Sequence, residues 1–352
     1  MRVGGYICSL PMAAFTPDDP TIRALEELLA RRPKITIITH HNPDGDALGS
    51  SLGFAHILRA MGHSVQVVLP NRPPPFLWWM PGYDEVIDHA TAPGPSVDAV
   101  AGSELLFVLD LNRSDRVAGL EDALLAAPVK VMIDHHRDPQ DMAPIMFSVP
   151  EVCATAELIY DITTALGAWD LIGVEAATCL YVGLLTDSGS FRFSSTTPHT
   201  MRVAAALMEK GVDHATVHDT IHDTNSVERM RLMGFVLQKK MEILDGMGAA
   251  IIGLTRDELQ RAGYRPGDTE GFVNLPLSIH GIRLSVLAIE RGDEVKLSFR
   301  SKGELRVDHF ARENFDGGGH ANAAGGRSTE PIATVIEQLR ARIPAFIQSA
   351  RA

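Results

Sequence analysis

The sequence predicts an α/β protein: a parallel-sheet domain carrying a metal centre, joined by a helical linker to a smaller α/β domain, with the active site in the cleft between them. Three observations lead there. Lys34-Ile35-Thr36-Ile37-Ile38-Thr39, Leu105-Leu106-Phe107-Val108-Leu109 and Lys130-Val131-Met132-Ile133 are short apolar runs rich in β-branched residues, as expected of buried parallel strands. Each runs straight into an Asp or His, and in an open parallel sheet the residues beyond the carboxyl ends of the strands converge on one crevice. The length of 352 residues and the hydrophobic fraction of 45% suffice for two cores.

Residues 1–20 contain one Arg and a short apolar stretch broken by Pro11, too weak for a signal peptide, and read as an N-terminal extension. The catalytic domain is assigned to 21–211. Its first strand leads into His40-His41-Asn42-Pro43-Asp44-Gly45-Asp46, after which Leu48, Leu52, Ala55 and Leu58 recur at helical spacing. Gly49 and Gly53 on that helix are expected to allow close approach to a strand, each at a cost of about 1 kcal/mol against Ala. His41 receives no role, and His56 and His63 read as structural or surface residues. Pro73-Pro74-Pro75-Phe76-Leu77-Trp78-Trp79-Met80-Pro81 excludes a central strand; its two Trp are either a packed edge or, as the sharper alternative, a homodimer contact. Asp110 ends the second strand and Asp134-His135-His136 the third. Asp187 follows the apolar stretch Ala176 to Leu185, read as a buried helix that brings it in from one side.

Taken singly these clusters are bland. Asp-Gly-Asp commonly makes a solvated turn, and Asp110 alone would serve as a helix cap after a strand. Their joint occurrence at strand ends is what carries the reading. Carboxylates mixed with imidazoles suit two divalent metals such as Mn2+, and two metals sharing a carboxylate suit phosphoester hydrolysis. A metallo-β-lactamase-type run is disfavoured, because Asn42 stands where it would need a second histidine.

The combined pattern resembles the DHH phosphoesterase superfamily. His40-x-x-x-Asp44-x-Asp46-Ala47-Leu48-Gly49-Ser50 is similar to its first motif, Asp110 to the second, Asp134-His135-His136 to the third, and Thr186-Asp187-Ser188-Gly189-Ser190-Phe191 to the fourth. Leu297-Ser298-Phe299-Arg300-Ser301 with Gly317-Gly318-Gly319-His320-Ala321-Asn322-Ala323-Ala324-Gly325 resembles the DHH-associated domain 1, which the family's pyrophosphatases lack. Length and domain pairing point to the NrnA-type branch, the nanoRNases and 3′-phosphoadenosine 5′-phosphate (pAp) phosphatases. The resemblance implies one metal on His40, Asp44 and a bridging Asp110, and a second on Asp46, Asp110, His135 and Asp187. It implies catalytic roles for His136, as donor to the phosphoryl oxygens, and for Asp134, behind the ligands, where a carboxylate fixes ring orientation.

Residues 212–241 are read as a helical linker, because Val227, Met230, Leu232, Met233, Val236 and Leu237 recur at helical spacing; 242–352 form the DHH-associated domain, with Gly248 to Gly253 as an early strand. Arg300, Ser301, Gly317, Gly318, Gly319 and His320 are its expected substrate contacts. Arg300 would clamp a phosphate, and the triple Gly, read as opening an Ala-rich helix, would offer backbone N–H groups to an anion. Asp316 departs from the family, whose members commonly carry Gly there. Between Arg283 and Arg312 stand seven Lys or Arg against five Asp or Glu, a local positive region in a chain of net charge −12.

That overall charge limits the substrate. Tracking long nucleic acid requires many basic contacts, and 32 basic residues against 44 acidic do not offer them. The expectation is therefore a manganese-dependent phosphodiesterase acting on short single-stranded RNA or nucleotides, with no long duplex partner. A cyclic or linear dinucleotide phosphodiesterase is the second reading, and a nucleotide-binding sensor the non-enzymatic one. Cys8, Cys153 and Cys179 lack metal-binding spacing and suit reduced thiols, and no run of eighteen apolar residues occurs, so no membrane partner and a cytoplasmic location are expected.

Overall fold

A computed structural model describes residues 15–349. Most of the expected N-terminal extension, with Cys8, lies outside them. The chain forms two compact units with the boundary between Thr224 and Asn225.

The strands of the first unit are β1 (Ile35–Ile38), β2 (Val65–Leu69), β3 (Ile87–Asp88), β4 (Leu105–Leu109), β5 (Lys130–Asp134) and β6 (Ile145–Ser148). Its helices are α1 (Pro20–Ala30), α2 (Gly45–Ala60), α3 (Pro93–Ala101), α4 (Glu121–Ala126), α5 (Thr155–Ala165), α6 (Val174–Asp187), α7 (Pro198–Glu209) and α8 (His214–His222). All pairings are parallel, in the order β3-β2-β1-β4-β5-β6. Both faces of the sheet are covered, which explains why the strands read as continuous apolar runs. Ile35, Ile37, Leu105, Phe107, Val131 and Ile133 enter one core layer, whereas Ile38, Leu106, Val108 and Met132 enter the other. The period of two is thus preserved although no strand face is polar.

Gly49 and Gly53 do permit a close approach, but to helix α6 and not to a strand. A Cβ at Gly49 would lie 2.5 Å from the Cys179 carbonyl oxygen, and one at Gly53 would strike the Leu180 side chain. Gly183 answers from α6, where a Cβ would meet Ala156 and Asp46, each at 2.7 Å. Backbone contact between α2 and α6 brings the first residues of one helix beside the last residues of the other. The proline-rich segment forms short turns, with Trp78 and Trp79 42% and 37% exposed and the Trp78 ring stacked on Tyr83.

In the second unit, α9 (Val227–Phe235), α10 (Arg256–Arg261), α11 (Val307–Asn314) and α12 (Ile332–Ser349) flank a sheet of β7 (Met241–Leu244), β8 (Ala249–Leu254), β9 (Leu284–Arg291), β10 (Glu294–Ser301), β11 (Gly318–His320) and β12 (Ala323–Ser328). The order is β11-β12-β10-β9-β8-β7, with only β8 and β9 parallel. Two sequence expectations are corrected here. The linker is not one helix: α8 ends in the first unit and α9 begins in the second, because Ser226 caps α9 by accepting from Arg229 N at 3.0 Å and thereby restarts the helix. The triple Gly opens a β-hairpin instead of a helix. Gly318 pairs with Gly325 and Gly319 with Ala324, and a Cβ on Gly317 would overlap the Gly325 carbonyl oxygen, so the glycines serve strand approach.

Candidate metal centre

Strand order reverses between β1 and β4, and the crevice outside the carboxyl ends of such a pair is where α/β sheets bind ligands. His40 follows β1 and Asp110 follows β4, so the two meet there, with His40 Nε2 3.4 Å from Asp110 Oδ2. Asp110 holds φ 54°, a left-handed conformation that is strained for a non-glycine residue and that turns the chain immediately after the strand. The next strand, β5, ends in Asp134 and delivers His135, whose Nε2 lies 3.5 Å from Asp110 Oδ1, 3.2 Å from Asp187 Oδ2 and 3.8 Å from Asp46 Oδ2. Asp46 comes from the first turn of α2 and Asp187 from the last residue of α6, the two ends joined by the glycine contact.

Hydrogen bonds fix the donors. The His40 Nδ1 donates to the His41 carbonyl at 2.9 Å, and the His135 Nδ1 faces the Val152 carbonyl at 3.4 Å. A carbonyl only accepts, so each Nδ1 carries the proton and each Nε2 turns inward. Asp44 caps α2, its Oδ1 accepting from the N–H groups of Asp46 at 3.1 Å and Ala47 at 3.0 Å. Asp134, fully buried, accepts from His136 N at 3.0 Å and from His136 Nδ1 at 2.8 Å. It therefore orients His136, not His135. Three sets have donor atoms within 4.8 Å of one another: His40, Asp44 and Asp110; Asp46, His135 and Asp187; and Asp110, His135 and His136. The first holds the residues of one set implied by the family resemblance; the second holds Asp46, His135 and Asp187 of the other but not Asp110, whose Oδ2 faces His40 and whose Oδ1 faces His135.

The electrostatics are those of a cation site. Burial, then the charges of Asp110, Asp187 and Asp44, push the Asp46 carboxyl well above the usual range. Burial also raises Asp187, to about 6, with Asp110 and Asp44 adding to the rise against the opposing effect of His135. Burial opposes ionisation of His40 and of Asp110, yet their pairing prevails: His40 is raised, and Asp110 is lowered to about 2. Burial likewise opposes charge on His136, but the hydrogen bond to Asp134 raises it. Asp187 also closes a helix at its carbonyl end, where the dipole disfavours an anion. Divalent cations fit this donor set because they would relieve the carboxylate repulsion and satisfy the inward Nε2 lone pairs.

One contributor escaped the sequence reading. Thr155, at the start of α5, donates through its hydroxyl to Asp110 Oδ1 at 3.0 Å and through its backbone N–H to Asp46 Oδ2 at 2.6 Å; Ala156 N donates to Asp46 Oδ1 at 3.0 Å. The amino end of α5 thus binds the Asp46 carboxylate from 109 residues away, as helix N-termini bind anions. Ala-Thr-Ala-Glu carries no pattern that announces this.

The expected substrate residues of the second unit divide. Arg300 and His320 both pair with Ala323, which places them in one row across β10, β12 and β11 and on one face of the sheet. Arg300 lines a pocket of about 390 Å³ with Arg291, Lys296 and Ser298. Ser301 is not available as a contact: its buried hydroxyl donates to the Leu305 carbonyl at 2.5 Å and accepts from Asn322 Nδ2 at 2.9 Å. Asp316 is ion-paired with Arg327 at 2.9 Å, which offsets its repulsion of an anion. Cys153 and Cys179 are buried free thiols, raised by burial, Cys153 to about 11. Among the described residues no helix is long and apolar enough to cross a membrane.

A parallel sheet with an acidic and imidazole centre at its switch point, followed by a mixed-sheet domain, defines the class, and comparison with known proteins agrees. Residues 34–184 match the family model "DHH family, N-terminal domain" and residues 249–349 match "DHHA1 domain". The chain is 34% identical over 304 residues to the bifunctional oligoribonuclease and PAP phosphatase NrnA of Thermus thermophilus, covering 85% of this chain and 86% of that one. The cyclic-di-AMP phosphodiesterase PdeA of Listeria monocytogenes is 28% identical over 341 residues, 92% of this chain but 49% of that one. An exopolyphosphatase-related protein from Bacteroides fragilis superposes with TM-score 0.90 at 34% identity, covering 94% of this chain and 98% of that chain. The chain belongs to the DHH family and carries its DHHA1 domain.

Proposed function

We propose that this protein is a two-metal phosphodiesterase that hydrolyses very short RNA to mononucleotides and also removes the 3′-phosphate from 3′-phosphoadenosine 5′-phosphate. The observation that carries this reading is Asp110, whose two oxygens face His40 on one side and His135 on the other. His40, Asp44 and Asp110 would hold one divalent ion, and Asp46, Asp110, His135 and Asp187 the other, with Mn2+ as the proposed metal. Two such ions supply a lowered water pKa and neutralise charge developing on phosphorus. The remaining work belongs to the chain. Asp134 favours the protonated form of His136, in which its Nε2 would donate to a phosphoryl oxygen. Thr155 and the amino end of α5 keep Asp110 and Asp46 in place. Arg300, the Gly317–Gly319 backbone and His320 receive the substrate's other end, while Ser301 supports the strand end. The similarity to the NrnA of Thermus thermophilus over most of both chains supports the substrate class.

The similarity to PdeA favours a second reading, hydrolysis of a cyclic dinucleotide. Product chromatography separates the two. Chelator-stripped protein is incubated with and without Mn2+ on a 5′-phosphorylated RNA dinucleotide, a longer RNA, 3′-phosphoadenosine 5′-phosphate and cyclic di-AMP. Metal-dependent mononucleotide release, fastest from the dinucleotide, is expected. Turnover of cyclic di-AMP alone would install the second reading, and no turnover of any of the four would overturn both.

A further inference from the structure

Helix α8 carries His214, His218 and His222 at intervals of four residues, so their side chains stand one above another on one face. His214 and His222 are exposed, and His218 is half-buried against the Tyr181 ring at 6.4 Å. Ring centres of His214 and His218 are 6.5 Å apart, and those of His218 and His222 5.7 Å. None of the three belongs to the centre at the sheet edge.

We propose that α8 holds a separate site for a borderline divalent ion, Zn2+, Ni2+ or Cu2+, chelated by His218 and His222. Two imidazoles on one tetrahedral ion, each bound at about 2.1 Å, place their ring centres roughly 5 Å apart. The 5.7 Å pair is a small side-chain adjustment from that geometry, and the 6.5 Å pair is further from it. An imidazole pair selects these ions over Mn2+ or Mg2+, which favour carboxylate and water oxygens. Burial, then His222 and His214, disfavour protonation of His218, and the neutral ring is the form that ligates.

The site touches the loop after Asp187. His222 Nε2 lies 2.9 Å from Ser190 Oγ, and Gly189, Ser190 and Phe191 hold φ of 57°, 60° and 61° in succession. Two non-glycine residues in this region store strain. The Ser190–His222 bond is one restraint on it, and Phe191 N donating to Ser188 Oγ at 2.8 Å is another. An ion that takes His222 Nε2 withdraws the first restraint from the segment next to Asp187.

The test is calorimetric titration of Ni2+ into the full chain under saturating Mn2+, with released Mn2+ measured in parallel and thermal melts confirming that each variant is folded. One equivalent of Ni2+ taken up without Mn2+ release is expected for the wild type and for His214→Ala, and loss of that equivalent in His218→Ala and in the more exposed His222→Ala. Uptake matched by Mn2+ release, absence of uptake, or uptake that survives both His218→Ala and His222→Ala would overturn the proposal. Uptake lost in His214→Ala but kept in His222→Ala would overturn the chosen pair.

Discussion

In the first unit Asp46, Asp110 and Asp134 are at most 2% exposed; Asp46 and Asp110 accept hydrogen bonds from the remote start of α5, and Asp134 accepts from its neighbour His136. In the second unit Gly319 and His320 lie exposed on a hairpin, and Arg300 is half-buried. The difference follows from what each region must do. Buried carboxylates at fixed spacing hold cations only if their repulsion is frozen into the fold, which requires strands, helix ends and a strained Asp110. Under the proposed function the second unit would receive the ends of a short anion, which needs only donors in a row, and strand register puts Arg300 and His320 in one.

Mutations should separate the two regions. The largest effect is expected for Asp110→Asn, which removes charge from both ion sites at once: kcat should fall by about a thousandfold or more, given the several kcal/mol that each metal contributes. Bound metal, measured on the folded variant, should fall with it. Wild-type metal content and turnover would show that Asp110 bridges nothing. Asp134→Asn, one step removed, should cost roughly 10–100-fold in activity, as lost supporting hydrogen bonds do. Because the carboxylate raises His136, which acts protonated, the alkaline limb of the rate profile should move to lower pH as well.

If Arg300 binds the substrate as proposed, Arg300→Ala should raise KM roughly tenfold with kcat little changed. Ser301→Ala sharpens the comparison. It should leave KM unchanged and lower stability by about 1 kcal/mol, because it loses an internal hydrogen bond and not a substrate contact. A raised KM without loss of stability would return Ser301 to the binding surface.

The smallest effect is on stability against pH. Asp46, Asp187, His40 and His136 all have raised folded pKa values, so the folded, metal-free protein binds more protons than the unfolded chain near neutrality. Stability from these groups is present at acid pH and lost as pH rises through their folded values, the Asp187 share around pH 6. Asp110 acts in the opposite sense, but only as pH falls below the ordinary carboxylate range toward about 2. The Tm of chelator-treated protein should therefore fall between pH 5.5 and 8, and Mn2+ should raise it most at the higher pH. A Tm that is flat with pH and indifferent to Mn2+ would count against a strained cation site.

Much of the centre was legible because its residues sit at the ends of patterned segments. His40, Asp110 and Asp134 each follow an apolar run, and a parallel sheet brings such ends together whatever the sequence distance. Thr155 was not legible, since a helix N-terminus acts through backbone N–H groups that every residue type possesses. Gly49 and Gly53 announced a close approach but were expected to meet a strand, because the actual partner sits on α6, more than a hundred residues on. The triple Gly suggested a helix opening, although glycine equally permits the strand approach that Gly325 imposes. Asp316, at φ 43°, occupies a conformation that glycine adopts without strain, which accounts for the glycine expected there.

By itself the sequence determined the fold class, the two domains and the chemistry of six converging donors, since apolar periodicity and residue type are local properties. Tertiary structure alone decided which oxygen of Asp110 faces which histidine, that Asp134 steadies His136, that Ser301 turns inward, and that His222 bonds Ser190 in the loop after Asp187. Those depend on distances between segments remote in sequence, and only packing sets such distances.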